Sequence, residues 1–339
     1  MPGRPRNQTV RPFPGDPLSD ILASTQLHSS ALANFFFSAP WAVDCEHLPT
    51  GTPFHAVVSG KCQIRLPDRE PLWLHPGDLV LLPRWARHTL AASDEGRPVS
   101  IREVFELNGV PIQEPSRPNR GPIQLVYGGG MEMTHILSGV FFFRDRQRNP
   151  ILNTLPEHLH FKAGEGHLAP WLDTALRVLG EEAMAPRPGF SEMARRLADL
   201  LLVEMLRSYI TGHPAQVAGW LQALIDPRLG RALQRVHADP GRRWTIHGLA
   251  RESGMSRSHF AARFRRMVGE TPLAYVAGWR MHLAMEQLAS ASMPIPAIAT
   301  GLGYTSEISF AKAFKRRVGE SPGQFRRQRR RPESARATR

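Results

Sequence analysis

Two cysteines, Cys45 and Cys62, are all the sulfhydryl chemistry that 339 residues offer. They exclude a disulfide framework and, lacking CxxC spacing, a thiolate zinc site, and they fit a reducing, cytoplasmic setting. No apolar run approaches the roughly 18 residues that would cross a bilayer. The opening "MPGRPRNQTVRPFPGDP" has no apolar secretion signal and reads as a disordered tail over residues 1–18. No GxSxG or HExxH occurs, and Gly128–Gly130 does not open a strand–helix phosphate loop but reads as a turn. Acidic residues are scarce in one place only. From Asp226 to Arg339 there are 22 Lys+Arg against 8 Asp+Glu, a net of +14; the first 225 residues hold the remaining 21 and 22, a net of −1.

A folded segment so basic beside a neutral one is the electrostatic footprint of a polyanion binder. Nucleic acid fits better than acidic lipid, because the basic helices carry aromatic residues at core spacing rather than a broad membrane-facing stripe.

The basic third is built twice. "SRSHFAARFRRMVGETP" (256–272) and "SEISFAKAFKRRVGESP" (306–322) align without gaps with nine identities in seventeen places. In the first copy Ile246, Leu249 and Ala250 form one face of a short helix with Thr245 as N-cap, and Gly254 supplies a turn. Ser256 then caps a second helix whose stripe is Phe260, Phe264 and Val268, ended by Gly269. The second copy repeats this grammar with Pro294 and Pro296 at the start, Ile298 and Ala299 on the face, Gly303 at the turn, and Phe310, Phe314 and Val318 as the stripe. The offset between copies is 49 before the turn and 50 after it, so the second turn carries one extra residue. Helix, glycine turn and basic second helix make a helix-turn-helix, whose second helix enters the major groove. The phenylalanines are core residues. The intervening "PLAYVAGWRMHLAMEQLA" predicts a helical rod of about 25 Å, enough to set two readers near one DNA turn apart.

The double motif, over about Leu229–Arg327, resembles the DNA-binding domain of the AraC/XylS family of bacterial transcription regulators. The resemblance implies a seven-helix module that binds asymmetric double-stranded promoter sites, most often activates transcription, and acts on RNA polymerase. It places base-facing positions at Ser258, Ala261 and Ala262 in the first copy and near Glu307, Ile308 and Lys312 in the second. Charge and resemblance together nominate as DNA contacts Arg257, Ser258, His259, Ala262, Arg263, Arg265 and Arg266, and then Ser306, Glu307, Ser309, Lys312, Lys315 and Arg316.

From Pro53 to about Phe143 the texture is short β-rich runs with Gly, Pro and Asp between them, which predicts a small barrel or sandwich. Within it "GDLVLLPRWARH" (77–88) resembles the second cupin motif, with Trp85 where that motif has glycine, and a cupin-like sensor precedes the reader in many AraC-type regulators. The inside of the barrel is the natural pocket for an unidentified small-molecule effector, with His55, Val57, Ile64, Trp73, Leu81, Trp85 and His88 as candidate lining. His55 lacks the HxH partner of a metal cupin, and His75 and Glu103 are off its spacing, so neither metal nor other cofactor is expected. Cys45 and Cys62 are candidate redox sensors or, more simply, small buried hydrophobes. "HLAPWLDTALRVLGEEAMA" and "SEMARRLADLLLVEMLRSYI" predict two amphipathic helices, the second capped by Ser191 and leucine-rich enough either to pack on the barrel or to form a homodimer seam.

The sequence thus predicts an α+β multidomain chain: a tail (1–18), a cupin-like sensor (19–165), a helical linker or dimerisation segment (166–225), an all-α domain with two helix-turn-helix motifs (226–328) and a basic tail (329–339). The expected function is a signal-controlled, sequence-specific transcription regulator, an activator by resemblance, and not an enzyme. The alternatives are a metal-dependent cupin enzyme anchored to DNA and an effector-independent DNA protein with a structural barrel.

Overall fold

The computed structural model describes residues 27–46, 51–84, 87–111, 123–143, 152, 154–165, 171–185, 187–212, 217, 219–290 and 293–330. The N-terminal tail, Trp85 and residues 331–339 lie outside them. Two compact units divide at Leu221/Gln222.

The first unit holds eleven strands among the described residues. They are β1 (Leu27–Ser38), β2 (Ala42–Cys45), β3 (Gly51–Ser59), β4 (Cys62–Arg65), β5 (Leu72–Leu74), β6 (Leu79–Leu81), β7 (His88–Ala91), β8 (Val99–Ser100), β9 (Ile123–Gly128), β10 (Met133–Phe143) and β11 (Leu159–Phe161). A six-stranded sheet runs β11-β6-β3-β10-β1-β9 and a five-stranded one β5-β4-β7-β2-β8. Residues of both sheets, including Phe35, Phe37, Val43, Val57, Ile64, Leu74, Val80, Leu90 and Ile136, share one buried core. Helix α1 (Ile101–Leu107) follows β8, and its N-cap Ser100 accepts from the Arg102 N–H.

Three strands, β1, β2 and β11, lie outside the β-rich stretch 53–143, and a helix interrupts it. Strand β1 is the longest at 12 residues, and from Leu32 to Phe35 it is buried on both faces. Phe35 and Phe37 enter the shared core, while the opposite face of the strand meets α3 (Phe190–Gly212). Its "NFFF" run is therefore contiguous rather than alternating. Strand β11 returns to pair with β6, Leu159 opposite Leu81. Helix α1 interrupts the β-rich stretch. The glycines at 128–130 do form the turn between β9 and β10.

Helix α2 (Trp171–Met184) and α3 cover the outer face of the six-stranded sheet. Leu172, Ala175, Leu176 and Leu179 are buried as the 3.6 periodicity predicts; Leu168 and the Ala183 side chain are outside the described set. On α3, Ala194, Ala198, Leu201, Leu202, Met205 and Leu206 are buried, and Leu200 stays exposed. The helix begins at Phe190, so Ser191 lies in its first turn rather than at the cap. Among the described residues no helix is long and apolar enough to cross a membrane.

Helix α4 (Gly219–Ile225) leads into the second unit, which is all helix: α5 (Leu229–Ala238), α6 (Ile246–Glu252), α7 (Arg257–Val268), α8 (Pro272–Ser290), α9 (Ile295–Gly301), α10 (Glu307–Val318) and α11 (Pro322–Arg330). The caps fall where the sequence put them. Thr245 Oγ1 accepts from Gly248 N, Ser256 from His259 N and Ser306 from Ser309 N, while Gly269 and Gly319 close their helices in the left-handed conformation. Four residues separate α6 from α7 and five separate α9 from α10, which locates the insertion in the second turn. Helix α8 runs 19 residues and is shared. Tyr275, Val276 and Trp279 are buried toward the first motif, where the Tyr275 ring lies 5.7 Å from Phe264. Met281, Ala284 and Leu288 belong to the core of the second, with Ile298, Leu302, Phe310, Phe314 and Phe325.

Three outcomes are expected. Gly303 has φ +78° and a Cβ there would stand 2.1 Å from Gly241 O, so Gly303→Val should lower stability by roughly 2–4 kcal/mol in thermal denaturation of the full chain. Gly254 has φ +63° and only Arg231 Nη2 within 3.7 Å, so Gly254→Ala should cost only about 1 kcal/mol. Burial, with the charge of His282 adding to it, pushes His237 down to about 4, where its Nε2 meets Tyr275 Oη at 2.7 Å. Unfolded, the ring regains its usual value near 6.5 and takes a proton that the native state refuses. This site therefore removes stability as pH falls from about 6.5 to 4. His237→Gln should flatten that part of the acid stability slope; an identical slope would refute the assignment.

Candidate nucleic-acid interface and sensor interior

The second helices of the two motifs, α7 and α10, are each pinned by a pair of phenylalanines. Phe260, Phe264, Phe310 and Phe314 are at most 2% exposed, and this burial turns the remaining faces outward. On α7 the exposed residues include Arg257, Ser258, His259, Ala262, Arg265 and Arg266; on α10 they include Glu307, Ile308, Lys312, Lys315 and Arg316. Basic groups thus occupy equivalent positions in both copies, 265/315 and 266/316. Ile308, 70% exposed, is a large apolar group with no place in the core, standing where the first copy has Ser258.

Three of the nominated contacts have other work. Arg263 turns inward and its guanidinium bonds Asp226, which is 7% exposed at the side chain. Asp226 Oδ1 also accepts from the backbone N–H groups of Arg228 and Leu229 at the start of α5. Burial pushes the Asp226 carboxyl up, but Arg263 and the two backbone donors outweigh it and hold it below the usual carboxylate range. Arg263 is a structural residue bordering the apolar stripe, and its partner lies 37 residues upstream, beyond any local pattern. Ser306 is spent as an N-cap, and the Ser309 hydroxyl donates back to Ser306 O at 2.8 Å.

The sequence reading missed Arg280, midway along α8. Its Nε donates to Pro240 O at 2.7 Å and its Nη2 to Arg242 O at 2.8 Å. A basic residue on a helix that presents no reading face gives no sequence signal of such a role.

In the first unit the candidate pocket residues divide. His55, Val57, Ile64 and His88 point between the sheets. His55 Nε2 lies 2.9 Å from His88 Nε2, and His55 Nδ1 2.9 Å from Ser138 Oγ. Burial, with His88 beside it, holds His55 well below its ordinary value, so the ring is neutral at pH 7. Trp73 and Leu81 do not line the interior. Leu81 alternates with Val80 and Leu82 of the shared core and faces the helices' side with Phe54. Trp73 alternates with Leu72 and Leu74, is 39% exposed, and lies under Lys61 Nζ at 5.6 Å. Trp85 is outside the described residues. His75 sits at Asp78, and no three His, Cys, Asp or Glu side chains among the described residues are grouped to hold a metal.

Both cysteines are free and buried. Burial, reinforced by Asp44 at one and Asp78 at the other, pushes each thiol up to about 12, which disfavours the reactive thiolate. Cys45 pairs with His88 across β2–β7, while Gln63, next to Cys62, pairs with Ala91. The two are therefore offset by roughly 10 Å or more along β7, beyond the reach of a disulfide without rearrangement.

A barrel followed by a unit with two helix-turn-helix motifs defines a DNA-binding transcription regulator with an N-terminal cupin domain. Family models agree: a cupin model matches residues 16–211 and a helix-turn-helix model residues 249–328. A putative AraC-like transcription regulator of Streptomyces antibioticus is 34% identical over 92% of this chain and 98% of its own length. AlkR of Acinetobacter baylyi is 31% identical over 81% and 87%. RclR of Escherichia coli, named an RCS-specific transcriptional activator, is 30% identical over 80% and 83%. The chain belongs to the AraC family of transcription regulators, and its relatives are regulators rather than enzymes.

The contrast between two arginines of one helix is testable. Arg263→Ala should cost roughly 2 kcal/mol of stability, since it leaves Asp226 buried without its cation. Arg266→Ala should leave stability within about 0.5 kcal/mol and flatten the salt dependence of DNA binding by about 0.9 in log–log slope. Thermal melts and salt titrations of both variants separate the roles; equal melting temperatures would show that the inward pair is not structural.

Proposed function

We propose that the chain is a promoter-binding activator that places α7 and α10 in successive major-groove segments of one asymmetric site. The observation that carries this reading is the duplicated basic helix, exposed in both copies and mounted on the single 19-residue α8, which is about 28 Å long. Arg257, Arg265, Arg266, Lys312, Lys315 and Arg316 supply phosphate contacts in this reading. Ser258, His259, Ala262, Glu307 and Ile308 stand toward the bases. Bound there, the chain acts on RNA polymerase.

The first unit senses the controlling signal. RclR, a relative named as a specific activator, supports control by a small-molecule or redox signal, and the polar His88–His55–Ser138 chain inside an apolar core is the feature best suited to distinguish a ligand. Such a signal works only if it binds the DNA-competent state more tightly than the other. Leu200, left exposed on α3, supports association of two copies through that face of the helix.

Selection of binding sites from a random DNA pool by the full-length protein tests the reading. The expected product is two short, unlike blocks centred about ten base pairs apart. A single block, or a palindrome, would refute paired reading by one chain.

A further inference from the structure

We infer that Arg280 sets the spacing at which the two reading helices can be used, as a positioning residue for site recognition. The inference rests on the paired-reader function proposed above. Arg280 leaves α8 between Trp279, buried on the side of the first motif, and Met281, in the core of the second. Its two donors grip Pro240 O and Arg242 O, both in the loop that joins α5 to α6 of the first motif. The same guanidinium lies 5.8 Å from the ring centroid of Tyr304, in the turn of the second motif.

At this spot the backbones of the two motifs touch. A Cβ on Gly303 would stand 2.1 Å from Gly241 O and 3.0 Å from Arg280 Nη2, and a Cβ on Gly241 would stand 2.5 Å from Gly301 O. A loop of one motif is seated directly on the turn of the other with no side chain between, and one planar fork holds the loop and covers the turn. The turn in question is the segment that aims α10. Two carbonyls gripped by two nitrogens of one plane suit arginine; a lysine has a single nitrogen and cannot reproduce the fork.

Shared packing on α8 joins the motifs, and this contact fixes the angle between them. The distinction matters on DNA. One added base pair moves the second groove segment about 3.4 Å along the axis and roughly 34° around it. A clamped pair of helices cannot follow that screw motion, whereas a loosened pair can.

The test uses the full-length protein and DNA carrying the two selected blocks with their natural gap, with one base pair added, and with one removed. Wild type should lose about tenfold or more in affinity at either altered gap. Arg280→Lys should lose no more than about threefold for the same changes, with binding to single-block DNA unaltered. A merely structural role would instead weaken binding equally at every gap. Tyr304→Leu, which removes the ring beneath the guanidinium and its edge contact with Phe310 but keeps an apolar side chain on that core, should relax the gap dependence in the same direction and serves if the lysine variant does not fold. An unchanged gap profile in the variants, or indifference to the gap in wild type, overturns the inference while leaving the paired reader intact. Failure of wild type to select two blocks at all overturns both.

Discussion

Everything the DNA-binding unit presents to the outside follows from the burial of two phenylalanines on each reading helix. A fully buried aromatic side chain contributes on the order of 2–3 kcal/mol, and the pairs Phe260/Phe264 and Phe310/Phe314 are spaced at i and i+4, so each pair fixes the rotation of its helix. The serine caps and left-handed glycines then fix the ends. With rotation and ends determined, Arg257, Arg265, Arg266, Lys312, Lys315 and Arg316 fall on the exposed faces, while Arg263, bordering the stripe, turns in to Asp226. The charged surface is a consequence of the apolar one.

The N-terminal unit solves the same problem with alternation. Its six-stranded sheet is covered on both faces, by the second sheet within and by α2 and α3 without, and neighbouring residues on one strand therefore serve different cores. Val80 and Leu81 illustrate it: the first joins the interior shared with Ile64 and Val57, and the second lies under the helices. The histidine pair is the exception inside. His55 Nε2 and His88 Nε2 can share a hydrogen bond only if one ring donates and the other accepts, which sets a polar chain with Ser138 in an otherwise apolar surround.

The duplicated motif was legible almost to the residue, because caps, stripes and breakers are local signals that agree with one another. The one-residue insertion in the second turn was visible as a change of offset. Strands with clear punctuation were legible too. What escaped was set by distance. Arg263 and Arg266 look alike in sequence and differ only because Asp226 waits beside one of them. Arg280 earns its place through carbonyls some forty residues away. Strand β1 was hidden by being buried on two sides, and Trp73 and Leu81 were assigned to the interior because composition alone does not give the phase of alternation. Sequence signals decay with separation along the chain, whereas packing does not.

The two copies are alike in their core, at the closing glycine and at the exposed basic positions 265/315 and 266/316, and unlike at the exposed start of the second helix. Phe260, Phe264 and Gly269 recur as Phe310, Phe314 and Gly319, but Arg257, Ser258 and His259 are replaced by Glu307, Ile308 and Ser309. A site recognised by unlike halves in a fixed order is a word that does not read the same backwards. A single bound chain would therefore carry an arrow along the duplex, and whatever it presents to a neighbouring protein would face upstream or downstream according to the order of the blocks, with no second subunit needed to define the direction.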